Sequence, residues 1–408
     1  MEGGLDKMKI GILGLDLNSG NKGCEALAYG FLEILNSILD EEETNIEVYL
    51  LQKLPTKQFL KSKCSFRKIK EYFKPKYFFD KLDIKIMFLA HTSKKIFFNS
   101  KIKEMNFVID FTGGDSFSDI YGLDRFYERT KFKECIIKHK VPLVLGSQTI
   151  GPFKDENAKK LASEVIKQAK KVFARDRLSQ RYAEEISGRK PILTTDVAFA
   201  LPYSRVQLPS KKIKVGFNPS GLLWHGGYSG DNQFDLTVNY KEYCYEVLNH
   251  LTKDDRYEVH LILHSFEDNN TNISDNDLVP AKILHKQYRE TILAPLFDSC
   301  IDAKSYIAGM DVLVGARMHA TIGAFSAGVP VIPFAYSRKF QGLFNSLKYE
   351  YIIDAKSVTT KMAVEFTLKW IEQKELLKNN MKIGKQLIDN KTQLFKDELL
   401  ELIETLGD

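Results

Sequence analysis

Asp311-Val312-Leu313-Val314-Gly315-Ala316-Arg317-Met318-His319-Ala320 leads into a small-residue stretch ending at Ala327, followed by Gly328-Val329-Pro330-Val331-Ile332-Pro333-Phe334. Two strand-length apolar runs, Asp311–Val314 and Val329–Phe334, flank a helix-length segment near Met318–Ala327. Unbroken apolar runs, rather than alternating ones, fit strands covered on both faces. Strand, helix, strand in this order is the parallel βαβ unit. Its polar residues gather at the junction, where Arg317 leaves the strand and His319 enters the first helical turn.

The same alternation extends outward in both directions. Upstream, Ile213–Phe217, Glu258–Leu263 and Thr291–Ala294 read as strands, with a helix at Tyr240–Leu251. Further upstream, strands are predicted at Lys9–Gly14, Ile46–Leu51, Phe107–Phe111, Pro142–Leu145, Val172–Ala174 and Ile192–Thr194. Leu27, Phe31, Ile34, Leu35 and Ile38 recur at helical spacing, and helices are expected around 156–170 and 178–187. The stretch 203–212 carries Pro, Ser and Lys and reads as a linker. The expected fold class is α/β, with two Rossmann-like parallel-sheet domains facing a cleft. They cover 8–202 and 213–357, and helices over 358–408 brace them. Ligands in such sheets sit at the carboxyl ends of the strands, which makes the cleft the expected site.

Composition limits the alternatives. The chain has 408 residues, 44% of them hydrophobic and 27% charged, and a net charge of +6. That is ordinary globular composition, and the charge is too small to name nucleic acid as a partner. Between 53 and 103, however, 15 Lys/Arg face 3 acidic residues, interleaved with ten Phe/Tyr. This basic aromatic block reads as a solvated insertion in the first domain. The competing reading is a peripheral contact with anionic membrane. Five widely spaced cysteines without a CxxC suggest reduced thiols, and the histidines lack metal-ligand spacing, so no metal is expected. There is no apolar signal core and no apolar run approaching 18 residues. The expectation is therefore cytoplasmic, with a peripheral place at the inner membrane face as the variant.

Five polar segments fall at strand ends. Asn18-Ser19-Gly20-Asn21-Lys22-Gly23-Cys24 opens a helix, either as an anion-binding turn or as a turn capped by Asn21. In Phe111-Thr112-Gly113-Gly114-Asp115-Ser116-Phe117-Ser118-Asp119, Gly113 and Gly114 let a ligand approach the backbone. There Asp115 or Asp119 is a candidate acceptor of a sugar hydroxyl proton, or else a cap. Gln148, in Gly146-Ser147-Gln148-Thr149-Ile150-Gly151-Pro152, offers a hydrogen-bonding group. In Ala174-Arg175-Asp176-Arg177, Arg175 suits carboxylate or phosphate, unless it forms a local ion pair with Asp176. Arg317 beside a helix N-terminus, with His319, makes an anion site. His264 also ends a strand, where it either adds a polar contact or belongs to a surface loop.

These segments together resemble the polysaccharide pyruvyl transferase family. The resemblance is carried by Asn21-Lys22-Gly23-Cys24-Glu25-Ala26-Leu27, Gly113-Gly114-Asp115-Ser116-Phe117-Ser118-Asp119, Gln148-Thr149-Ile150-Gly151-Pro152-Phe153, Ala174-Arg175-Asp176, Ala316-Arg317-Met318-His319 and Ala335-Tyr336-Ser337-Arg338-Lys339-Phe340, in order over about 8–345. Some members have Gly-Asp where this chain has Gly23-Cys24, and the basic aromatic block lies outside the resemblance. The resemblance implies a glycosyltransferase-B-type fold with a donor-binding C-terminal domain. It implies transfer of pyruvate from phosphoenolpyruvate, a co-substrate, to a glycan or lipid-linked sugar of a cell-surface polysaccharide precursor, as a ketal. No cofactor is expected. It carries donor binding and catalysis over to Arg175, Arg317 and His319. Together with the strand-end reading, the expected donor-binding set is Arg317, Arg175, Asn21, Gly113, Gly114, Gln148 and His264, and the expected catalytic pair is His319 and Asp115. Two rival readings are a nucleotide-sugar glycosyltransferase of the same architecture and a non-catalytic glycan-binding protein.

Overall fold

The computed structural model describes residues 7–39, 46–53, 74–91, 96–97, 100–266 and 275–407. The chain divides into two compact units. The first comprises 1–18, 27–197 and 390–408, and the second 19–26 and 198–389.

The sheet of the first unit contains β1 (Lys9–Leu13), β2 (Ile46–Lys53), β3 (Leu82–His91), β4 (Ile96–Phe97), β5 (Phe107–Asp110), β6 (Leu143–Gln148), β7 (Lys171–Ala174) and β8 (Ile192–Leu193). Their order is β4-β3-β2-β1-β5-β6-β7-β8. All neighbours are parallel except β4, a two-residue antiparallel edge. Residues Val108, Leu143, Leu145 and Val172 are buried, as the unbroken apolar runs predict. The order reverses between β1 and β5, so the loops leaving Leu13 and Asp110 meet at the switch point.

β3 corrects the reading of 53–103 as an insertion. Leu82–His91 pairs in register with all eight residues of β2, from Ile46 opposite Leu82 to Lys53 opposite Leu89. Its charged residues Asp83 and Lys85 hid it: Lys85 is half-exposed and makes ion pairs with Glu47 and Asp83, while Leu82 and Met87 are buried. The rest of the block, 54–73 above all, lies outside the described residues. Among the described residues, no helix is long and apolar enough to cross a membrane.

The second unit contains β9 (Ile213–Asn218), β10 (Tyr257–Leu261), β11 (Ile292–Leu293), β12 (Val312–Gly315), β13 (Val331–Ala335) and β14 (Ile353–Asp354). All are parallel, in the order β11-β10-β9-β12-β13-β14, with the reversal between β9 and β12. Val215, Val259, Leu313 and Val331 are buried.

Residues 19–26 group with the second unit. The reason is a set of specific bonds. Lys22 N donates to His264 O at 2.9 Å, Phe266 N donates to Gly20 O at 2.9 Å, and Asn21 pairs with Ser265. Glu25 Oε2 also accepts from Cys300 N at 3.0 Å, at the start of the helix Cys300–Ile307. The helix Lys22–Ser37 thus begins among residues of one unit and ends among those of the other. The last helix, Lys374–Gly407, likewise changes unit at Asn390.

Candidate functional site

In the first unit, β5 ends on Asp110 and the chain turns through Thr112, Gly113 and Gly114 with φ of 46, 64 and 85°. Two glycines remove the penalty of this left-handed path, but Thr112 keeps it. Asp110 holds Thr112, accepting from its hydroxyl and from its N–H. Lys133 Nζ lies 3.1 Å from Asp110 Oδ2, and both side chains are fully buried. Burial pushes the Lys133 amine down, and Asp110 opposes that shift. Gln148 Nε2 donates to Asp110 O at 2.7 Å, joining the end of β6 to the end of β5.

Gly114 is needed twice over. A Cβ there would lie 2.7 Å from Leu27 Cδ1 and 3.3 Å from Arg175 Nη1. Arg175 is 1% exposed. Its Nη1 lies 2.7 Å from Asp196 Oδ2, and its Nε donates to Thr149 Oγ1 at 2.8 Å. Asp176, the expected local partner, caps the helix Arg177–Ser187 through Ser179 N at 2.8 Å. Asp115 accepts from the Tyr121 hydroxyl at 2.8 Å. Asp119 accepts from Lys154 N and Asp155 N at 2.6 and 2.8 Å, which clamps a loop.

In the second unit, the switch point lies between the ends of β9 and β12. Arg317 N donates to Asn218 Oδ1 at 2.9 Å across it. The guanidinium is held by two carboxylates. Nε and Nη2 donate to Asp277 Oδ1 at 3.0 and 2.6 Å, Nη1 donates to the Asp275 carboxylate, and Nη2 also donates to Asp275 O at 2.9 Å. Burial opposes the Arg317 charge, but Asp277 and Asp275 outweigh it and hold its pKa above the ordinary value.

His319 stands in the first turn of the helix Met318–Ala327. A Cβ on Gly23 would lie 2.5 Å from His319 Nδ1, so only glycine leaves room for the ring. Asn21 Oδ1 accepts from Gly23 N at 2.9 Å, the expected cap. Lys22 Nζ lies 3.0 Å from Glu25 Oε1, both buried, so this lysine is already compensated. His264 is 4% exposed. Burial first, then the neighbouring His319, Arg317 and Lys22, push its imidazole pKa well below the usual value, and it is held neutral.

The structure therefore gathers Asn21, His264, Arg317 and His319 within the second unit, and Gly113, Gly114, Gln148 and Arg175 within the first. Sequence reading missed the carboxylates behind the arginines, Asp196, Asp275 and Asp277, and the buried pair Asp110–Lys133. For that pair a signal existed. Asp110 interrupts the apolar strand Phe107–Phe111, and Lys133 sits among apolar helical positions that include Phe126, Phe132 and Ile136.

The sequence pattern of the family described as "Polysaccharide pyruvyl transferase" matches residues 21–338. This chain belongs to the polysaccharide pyruvyl transferase family. It is a transferase of polysaccharide biosynthesis, as membership entails. A curated relative, the amylovoran biosynthesis protein AmsJ of Erwinia amylovora, is 24% identical over 389 residues, spanning 83% of this chain and 86% of the relative. Among solved structures, the chain resembles UDP-GlcNAc 2-epimerase from Neisseria meningitidis (TM-score 0.55, 13% identity, 97% and 100% covered). It also resembles a putative UDP-N-acetylglucosamine 2-epimerase from Listeria monocytogenes (0.54, 11%, 92% and 90%) and MurG from Acinetobacter baumannii (0.50, 10%, 97% and 99%). These likenesses define the fold, the glycosyltransferase-B type with two parallel-sheet α/β domains.

Proposed function

We propose that this pyruvyl transferase moves the pyruvyl group of phosphoenolpyruvate onto two hydroxyls of one sugar in an exopolysaccharide precursor, forming a ketal and releasing phosphate. The observation that carries the reading is the Arg317–His319 pair at the carboxyl end of β12. Arg317 is fixed by the buried Asp277 carboxylate and the partly exposed Asp275, and His319 lies in a helical first turn against Gly23. A helix N-terminus beside a guanidinium favours an anion.

In the proposed sequence, His319 gives a proton to the methylene carbon of the donor, and the first sugar hydroxyl adds to the adjacent carbon. That hydroxyl's proton goes to a base, for which Asp115 is the candidate. The C–O bond to phosphate then breaks, phosphate leaves, and the second hydroxyl closes the ketal and gives up its own proton. One proton enters at carbon and two leave the hydroxyls, one of them with the phosphate. Arg317 and Arg175 are the proposed ligands of the donor's anionic groups, and Asn21, Gly113, Gly114, Gln148 and His264 are the other proposed donor-binding residues. Charge compensation by guanidinium groups makes no demand on a metal or organic cofactor. The acceptor is a polysaccharide or lipid-linked sugar.

The test is incubation with phosphoenolpyruvate and a panel of nucleotide- and lipid-linked glycans. The expected result is equimolar phosphate release and a pyruvyl mass gain on one glycan, lost on treatment with mild acid. Transfer of a whole sugar residue from a nucleotide sugar instead would replace this reading with glycosyl transfer.

A further inference from the structure

Asp277 stands at the start of the helix Leu278–Gln287, where a carboxylate ordinarily caps its own helix. It does not: its side chain accepts no bond from that helix, and Asn276 Oδ1 accepts from Leu278 N instead. The Asp277 carboxylate turns to the switch point. Oδ1 accepts from Gly221 N at 2.9 Å and from Arg317 Nε and Nη2. Oδ2 accepts from His264 N at 3.1 Å and Ser265 N at 3.0 Å. It therefore ties together the chain after β9, after β10 and after β12. The side chain is 0% exposed, and every partner is a donor, which leaves no acceptor for a carboxyl proton. Gly221 makes this possible, because a Cβ there would lie 2.2 Å from Asn276 O.

Asp275 grips the same guanidinium differently. Its carboxylate takes only the Nη1 side and is 21% exposed. The two aspartates and Arg317 sum to a formal charge of −1, which opposes an anionic ligand. One carboxylate is the deep anchor, and the other stands where a donor anion would bind.

We propose that Asp277 is the positioning residue for Arg317, fixing the Nε edge of the guanidinium and the backbone of His264, while the Asp275 carboxylate competes with the donor for Nη1. This rests on the donor reading above. Asp277 acts through Arg317 and touches no substrate.

The test separates the two ideas by using one measurement that needs no donor. In wild type, the Arg317 Nε–H should give a slowly exchanging nitrogen-15 NMR signal, assigned by its loss in Arg317→Lys. Asp277→Asn should abolish its protection, and Asp275→Asn should leave it. In calorimetric titration with phosphoenolpyruvate, Asp277→Asn should weaken binding about thirtyfold or more, the scale for unpairing a buried charge. Asp275→Asn should tighten binding about threefold, the scale of a partly exposed ion pair. If Asp277→Asn does not fold, Asp277→Glu keeps the charge and displaces it, and should shift the signal and weaken binding. An unchanged Nε–H signal in Asp277→Asn or Asp277→Glu overturns the positioning role. Weaker binding in Asp275→Asn overturns the competition. Protection that depends on Asp277, in a protein whose wild type binds no phosphoenolpyruvate, leaves the positioning role standing and sinks the donor reading instead.

Discussion

Each unit carries a strand-end arginine on a buried carboxylate, and the two differ in how exposed the surrounding carboxylates are. Arg175 bonds to the fully buried Asp196 and to Thr149. Arg317 meets two carboxylates, one of them partly exposed, so the cluster is formally anionic. A guanidinium at a strand end is thus a structural tie before it is a ligand group. The first unit's tie is closed. The second unit's has a carboxylate that an incoming anion can replace.

The largest effect should come from breaking the closed tie. Asp196→Ala leaves the Arg175 charge buried without its carboxylate and should cost about 3–5 kcal/mol of stability. Amide exchange should show the loss concentrated in the first unit. A loss under about 1 kcal/mol, the range of surface pairs, would erase the distinction between the two clusters.

Next comes the proton. His319→Gln keeps a hydrogen-bonding side chain but no transferable proton, and should lower turnover about a hundredfold, equivalent to about 2.7 kcal/mol of barrier. Donor affinity should change far less. Near-normal phosphate release would take the acid role from His319.

Gly23→Ala sharpens the comparison inside the second unit. The new methyl would fall 2.5 Å from His319 Nδ1, so the ring must move. Overpacking of this kind costs about 1–3 kcal/mol. Turnover should fall about tenfold or more while the first unit's exchange stays unchanged; turnover equal to wild type would mean that the ring position is not used.

Acid should distinguish the units as well. His264 and His260 have pKa values lowered chiefly by burial, both in the second unit. Their folded-state values lie below the unfolded value of about 6.5, so the unfolded chain protonates first. Stability is intact above that pH and declines below it, by up to about 1.4 kcal/mol per pH unit for each imidazole. Denaturation from pH 7.5 to 5 should show the decline, and His264→Asn should flatten it; an unaltered slope would mean that His264 is protonated in the fold.

The smallest effect is at β3, where Lys85→Ala removes half-exposed ion pairs to Glu47 and Asp83 and should cost no more than about 1 kcal/mol. A larger loss by thermal melting would make that edge more than a solvated rim.

How much was legible follows from the range of each interaction. Apolar runs such as those in Asp311–Val314 and Pro142–Leu145 are local signals and announced the parallel sheets. β3 was obscured because Asp83 and Lys85 break its apolar run, and β14 because two residues carry no period. Arg175, Arg317 and His319 stood out at strand ends. Their partners did not, since Asp196 lies 21 positions from Arg175 and Asp277 lies 40 from Arg317. Only the order of the strands brings them together. The migration of 19–26 to the second unit was invisible for the same reason, because it depends on His264, Ser265 and Cys300.

The buried lysines give this protein internal clocks. Lys133 is 0% exposed in the first unit, and Lys22 and Lys304 are 5% and 3% exposed in the second. Lys304 donates to the carbonyls of Phe199 and Leu201, and burial lowers its amine to about 7. An amine-reactive label cannot reach any of them until its own unit opens. Mass spectrometry of the tagged peptides over time would therefore read the opening of each half separately, without an engineered site.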